Sequence, residues 1–168
     1  MLERLTRLRF SDWAAPCGLS GLLLALYLGG PGLTSTLRYE RAAVLDGQWW
    51  RLASGHLVHA DGAHLAWNVI GIAIVWGLFA REYRLREWLG ILLASTAAIG
   101  AGFLILQPGL AWYVGFSGLL HGAMAAGLVA WLRHSRDPLT ALVGVLFIAK
   151  LAWEHTHGAL PFTGATLS

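Results

Sequence analysis

The sequence predicts an all-α membrane protein, a polytopic helix bundle that crosses the bilayer several times. Two observations carry that expectation. Hydrophobic residues make up 57% of the chain and charged residues 12%, with a mean hydropathy of +0.59, whereas a soluble domain carries about 25% charge. The 21 glycines and 9 tryptophans point the same way. Glycine lets transmembrane helices approach closely, and tryptophan gathers where the bilayer meets water.

The elements follow in order. Residues 1–12 read as a basic, amphipathic lead-in. A spanning helix needs about 20 mostly apolar residues, and residues 14–33 make the first, with Pro16 tolerable in the opening turn and Gly29-Gly30-Pro31-Gly32 as its end. A polar loop follows with Arg38, Glu40, Arg41, Asp46, Trp49-Trp50-Arg51, His56, His59 and Asp61. The second span covers residues 63–80 and carries His64 and Asn68 at its start. A charged connector from Arg81 to Glu87 closes it.

From Trp88 to Leu132 the chain has no Asp, Glu, Lys or Arg. That is too long for one helix, and the Gln107-Pro108-Gly109 break divides it into spans at 88–106 and 115–132. Arg133 to Asp137 ends the fourth span, with His134 a solvated connector residue. Pro138 suits the first position of a fifth span over 138–155, which includes Lys150, and residues 156–168 form an outer tail. The whole chain, 1–168, reads as one membrane domain.

Basic residues in short loops set orientation. Arg4, Arg7, Arg9, Arg81, Arg84, Arg86, Arg133 and Arg136 would share one side, and they outnumber Arg38, Arg41 and Arg51 on the other. The N-terminus is therefore expected in the cytoplasm. The loop before span two and the Ser117 end of span four then face outward. The first apolar segment is long enough to stay as an anchor. A net charge of +3 without a basic block excludes nucleic acid as a partner. Cys17 is the single cysteine, so no intramolecular disulfide is available, and it is expected to be small and buried.

Gly115-Phe116-Ser117-Gly118-Leu119-Leu120-His121-Gly122 places polar groups where they are costly. Ser117 falls in the first turn of its helix, where free backbone N–H groups can stabilise a developing oxyanion. Gly115 and Gly118 would clear space for a substrate backbone. His64 and Asn68, four residues apart, share one face of span two, and both can donate to the same oxyanion. A packing role competes with each of these readings: serine and glycine often sit in helix interfaces, and Gly118-x-x-x-Gly122 is a close-packing spacing. His56, His59 and His64 are a weak zinc set without cysteines. A haem held by His64 and His121 is a further alternative. Gly115 to Gly118 is not the hydrolase elbow, which needs a glycine where Leu119 stands.

The chain resembles the rhomboid family of intramembrane serine proteases. Three motifs carry the likeness: Trp50-Arg51 in the first outer loop, His64-Leu65-Ala66-Trp67-Asn68 in the second helix, and Gly115-Phe116-Ser117-Gly118 at the start of the fourth. It is similar more narrowly to the rhombosortase branch, through the extension to His121-Gly122, Tyr39-Glu40-Arg41, Gln48-Trp49-Trp50-Arg51 and the Lys150…Glu154 pair.

The resemblance implies a rhomboid-like fold, with Ser117 as nucleophile and His64, Asn68 and Ser117 forming the oxyanion hole. Gly115, Gly118 and His121 would support the site, with no cofactor and no metal. It also implies a bacterial inner-membrane location. Substrates would be membrane-anchored proteins with a C-terminal tail of Gly-Gly, a hydrophobic helix and a basic end. The family draws its base from a sixth helix, and five spans are expected here. His155 and His157 are the weak candidates for the base. Either the sequence stops short of that helix, or the protein has lost its base and binds membrane helices without cutting them.

Overall fold

The structure is a computed structural model that describes residues 9–134 and 138–157, without the side chains of Leu139, His155 and His157. The start of the expected lead-in and most of the outer tail lie outside the described residues.

A 3₁₀ turn at Phe10–Trp13 leads into α1 (Ala14–Leu28). The first helix stops at Leu28 rather than near Leu33, and α2 (Gly30–Leu37) leaves it at 112°. Local backbone chemistry explains the bend. Gly30 has φ +80, a conformation that ends a right-handed helix, and Pro31 lacks the N–H that would continue one. The expected polar loop then proves to be built rather than open. It holds β1 (Tyr39–Glu40), α3 (Arg41–Leu45) and α4 (Arg51–Ser54).

Three helices form the body: α5 (Gly62–Phe79), α6 (Leu85–Ile105) and α7 (Ser117–His134), with α7 packed against both others. The fifth expected stretch is α8 (Pro138–His157), which opens on Pro138 and packs on α7. Among the described residues, α5 and α6 are each long and apolar enough to cross a bilayer, and the bent α1–α2 pair passes the same test if counted as one. α7 and α8 have the length but are less apolar. They carry Ser117, His121, Lys150 and Glu154 on otherwise hydrophobic faces.

Small residues set the helix spacing. A Cβ at Gly118 would press on Ile99, and one at Gly122 would collide with Ser95, so both glycines let α7 lie against α6. Gly71 admits Leu120 between α5 and α7, and Gly127 accepts the Phe79 ring. Outside this core, Leu22, Leu24, Ile70, Ile74, Leu89 and Leu93 are exposed. An apolar exterior is what a bilayer covers. Cys17 is exposed too, contrary to the expected burial. α1 turns Pro16 and Leu23 inward, which leaves the thiol on the apolar outer side, where a small hydrophobe costs little.

Backbone pairing ties the two connecting loops together. β1 runs antiparallel to β2 (Trp112–Tyr113), with Tyr39 opposite Tyr113 and Glu40 opposite Trp112. Arg51 is 9% exposed. Its guanidinium donates to Gln48 Oε1 at 2.7 Å and to the carbonyls of Ser35 and Arg38 at 3.0 and 2.9 Å. The Arg of the Trp50-Arg51 motif is therefore a buried staple that satisfies loop carbonyls. Arg41 donates to the Phe103 and Leu104 carbonyls at 2.9 and 3.2 Å, which satisfies acceptors left open at the end of α6.

Candidate functional site

Two helix starts converge below these loops. Asp61 caps α5, its carboxylate accepting the His64 backbone N–H at 2.7 Å. That cap fixes where the helix begins and so puts His64 and Asn68 in its first two turns. α7 begins at Ser117 itself, and the Leu120 N–H already reaches the Phe116 carbonyl at 3.1 Å. The approach to Ser117 is held from both sides. Gly115 N–H donates to the Gly55 carbonyl at 3.0 Å, and the Tyr113 hydroxyl donates to the Gly115 carbonyl at 2.9 Å.

Gly115 has φ +114, and a Cβ there would fall on the His64 ring. Conformation and contact both demand glycine at this position. The room expected for a substrate beside Gly115 and Gly118 is taken by protein side chains: His64 at Gly115, and Ile99 with Tyr113 at Gly118. These two glycines act by letting the site close up.

His64, Asn68, Ser117 and His121 line one cavity of about 180 Å³, whose other walls include Trp67, Ile74, Val75, Met124 and Phe147. The polar groups sit on an otherwise apolar surface. His64 is 6% exposed and Asn68 3%. Asn68 spends one amide hydrogen on the His64 carbonyl at 3.0 Å, which leaves its second N–H for another acceptor. Neither ring nitrogen of His64 has a hydrogen-bond partner among the described residues. A buried polar atom without a partner is costly.

His121 Nδ1 meets the Ser117 carbonyl at 2.7 Å. A carbonyl only accepts, so Nδ1 carries the proton. His121 thus braces the backbone of Ser117. The Ser117 hydroxyl lies against Tyr113. Burial pushes the Tyr113 phenol up from its ordinary pKa, and hydrogen bonding to the Ser117 side chain and the Gly118 backbone offsets part of the rise. With its proton donated to Gly115, the phenol oxygen is left as an acceptor for Ser117. The side chains of His155 and His157 lie outside the described residues.

Two histidines of the loop complete the surroundings. His59 is 1% exposed, and its ring meets His64 edge-on at 5.1 Å. Burial, then repulsion from His64, lowers its pKa to about 4 against a weaker pull from Asp61. His56 is likewise lowered by burial, with a backbone hydrogen bond to Gly115 opposing the shift. Both stay neutral at neutral pH. Among the described residues no three His, Cys, Asp or Glu side chains converge as a metal set.

Tyr113 is a neighbour of Ser117 that the sequence alone did not single out. A tyrosine four residues before a serine carries no periodic signal in a loop. Lys150 did carry one: it is the sole lysine of the chain and lies in a hydrophobic helix four residues before Glu154. In the fold both residues of that pair meet His121 of α7, and Lys150 lines the cavity.

Comparison with known proteins places the chain in a family. The family described as the Rhomboid domain matches residues 46–165. Over 112 residues the chain is 29% identical to Rhomboid protease GluP of Bacillus subtilis, a match covering 64% of this chain and 22% of that relative. The chain therefore spans less than a quarter of that relative's length. The matched region contains the capped start of α5, the Gly115 crossing and the head of α7, and by that match the chain belongs to the rhomboid family.

Proposed function

We propose that this chain is an intramembrane serine endopeptidase with Ser117 as its nucleophile. One observation carries the reading: Ser117 opens α7 and shares a cavity with the unpartnered imidazole of His64 and the half-used amide of Asn68. A scissile carbonyl attacked by Ser117 would develop its charge beside these donors and the free N–H groups of the first turn. Each such donor lowers the barrier by about 3 kcal/mol when its hydrogen bond forms in the transition state. Apolar walls strengthen those interactions by keeping water away.

All five helical stretches would cross the membrane, with the N-terminus in the cytoplasm and the Ser117 end outward. The bacterial inner membrane is the location that fits the resemblance. Substrates would be membrane-anchored proteins, and likeness to the rhombosortase branch favours tails with Gly-Gly before a hydrophobic helix and a basic end. A second reading rests on the Ser117 hydroxyl facing a neutral phenol. Without a base to take its proton, the protein would hold membrane helices and leave them uncut.

A fluorophosphonate probe separates the two. Covalent labelling of the protein in bilayers, abolished by Ser117→Ala, supports the protease. Absence of labelling, with substrate capture unchanged in Ser117→Ala, supports the binder.

A further inference from the structure

The cavity has a second polar corner that the reaction at Ser117 does not use. Lys150 lies on its wall, and its ammonium meets Glu154 Oε1 at 2.7 Å and His121 Nε2 at 2.8 Å. Glu154 Oε2 stands 3.4 Å from the same ring nitrogen. The proton inventory of this group is fixed by its partners. His121 Nδ1 donates to the Ser117 carbonyl, so Nε2 of the neutral ring accepts, and Lys150 is the donor.

An ammonium has three N–H donors. Two are used, one by the carboxylate and one by the imidazole. Among the described residues the third has no partner, and it belongs to a group that borders the cavity. Glu154 and His121 hold the Lys150 amine in place by direct contact, which suits a fixed donor. The pair brings no net charge into the apolar wall, so a neutral acceptor oxygen suits it better than a second anion.

Resting on the protease reading, we propose that Lys150, held by Glu154 and His121, is a substrate-positioning residue that donates a hydrogen bond to a peptide carbonyl of the bound substrate. Ser117 and His121 are one helical turn apart, about 6 Å between Cβ atoms. Lys150 lies on the far side of the His121 ring from Ser117, so the carbonyl in question is not the scissile one but one further along the extended chain. A transmembrane helix unwound for cleavage exposes such carbonyls, and in an apolar site each needs a donor. His121 links the two corners, because it holds Ser117 by its carbonyl and Lys150 by its ammonium.

The test measures binding, so that it does not depend on turnover. The probe is a fluorescent peptide with Gly-Gly ahead of a hydrophobic segment and a basic end, titrated by anisotropy onto the full chain in bicelles, in a Ser117→Ala background. Lys150→Met alone strands Glu154, so the variant used is Lys150→Met with Glu154→Gln, its fold checked by thermal unfolding. The expected result is binding weaker by about tenfold or more, the range for losing a hydrogen bond from a charged donor.

Replacing single peptide amides near Gly-Gly by esters, which weakens their carbonyls as acceptors, should lower affinity at one position in the Lys150 form and not in the double variant. Amidating the peptide C-terminus should change nothing, whereas a loss there confined to the Lys150 form would make the ligand a carboxylate and overturn the proposal. Equal affinities for both forms, or ester effects that are the same in both, would overturn it as well. Fluorophosphonate labelling of Ser117 is read separately on the unsubstituted chain. If labelling fails while the Lys150-dependent ester effect remains, the protease reading falls and the carbonyl subsite stands.

Discussion

The two ends of the α5–α7 pair solve opposite problems with the same building materials. At the end away from the loops, the Phe79 ring packs at a tilt on Trp131 at 4.5 Å, and Trp88 meets Tyr83 at 5.2 Å. Most polar tips in that cluster are used: Trp76 Nε1 donates to the Asp12 carbonyl at 2.7 Å, Tyr83 to the Ala126 carbonyl at 3.0 Å and Trp131 to Glu82 at 3.2 Å. At the loop end His59 and His64 are as deeply buried, yet their ring nitrogens have no partners among the described residues. Burial without hydrogen bonding lowers stability, so the histidine end weakens the fold where the aromatic end strengthens it. The proposed site lies at the end whose cost the other end offsets.

Substitutions should separate these ends. The largest effect expected is Ser117→Ala, with loss of fluorophosphonate labelling and of peptide cleavage by about 10⁴-fold or more and little change in thermal unfolding. A comparable loss of stability there would break the contrast. Phe79 is 0% exposed, and Phe79→Ala should cost about 3–5 kcal/mol of stability. Labelling per folded molecule should be unchanged, as read by melts and probe kinetics on one sample.

Asn68→Ala is the next step down, with kcat lower by about 10²-fold and unfolding shifted only slightly. A change confined to KM would remove Asn68 from the oxyanion role. Acid should act on the loop end. His59 has its pKa lowered from 6.5 to about 4 in the fold, so between those values the unfolded chain binds more protons. Stability is therefore full above pH 6.5 and falls as pH drops towards 4, by up to roughly 3 kcal/mol. Melts at stepped pH should show that slope, and His59→Gln should flatten it. Trp131→Phe should lower stability by about 1–3 kcal/mol, through the lost hydrogen bond to Glu82 and the lost part of a buried ring, with no change at the site.

Helix positions were legible because they depend on local chemistry. The apolar runs and the Gln107-Pro108-Gly109 break located α5, α6 and α7 to within a few residues, and Pro138 opens α8 as its fixed φ suggests. The first helix was harder. Its glycines marked an end, but whether a chain stops or turns by 112° into a second helix depends on what that helix packs against. The loop from Arg38 to Asp61 hid its order for a similar reason. The partner that pairs with Tyr39 and Glu40 is Trp112–Tyr113, far along the chain.

By itself the sequence determined the class, the helices and the polar residues that a bilayer would not tolerate without a use. Spacing of four along one helix was enough to put His64 with Asn68 and Ser117 with His121, because side chains at i and i+4 share a face. Only the tertiary structure decided which of those faces meet. It set the His64 ring against Gly115, gave His121 to the Ser117 carbonyl and left the Ser117 hydroxyl to Tyr113. It also brought Lys150 and Glu154 of α8 to His121 of α7. Contacts between helices depend on their crossing and on small residues at the interface, and no periodicity within one helix encodes its rotation relative to the next.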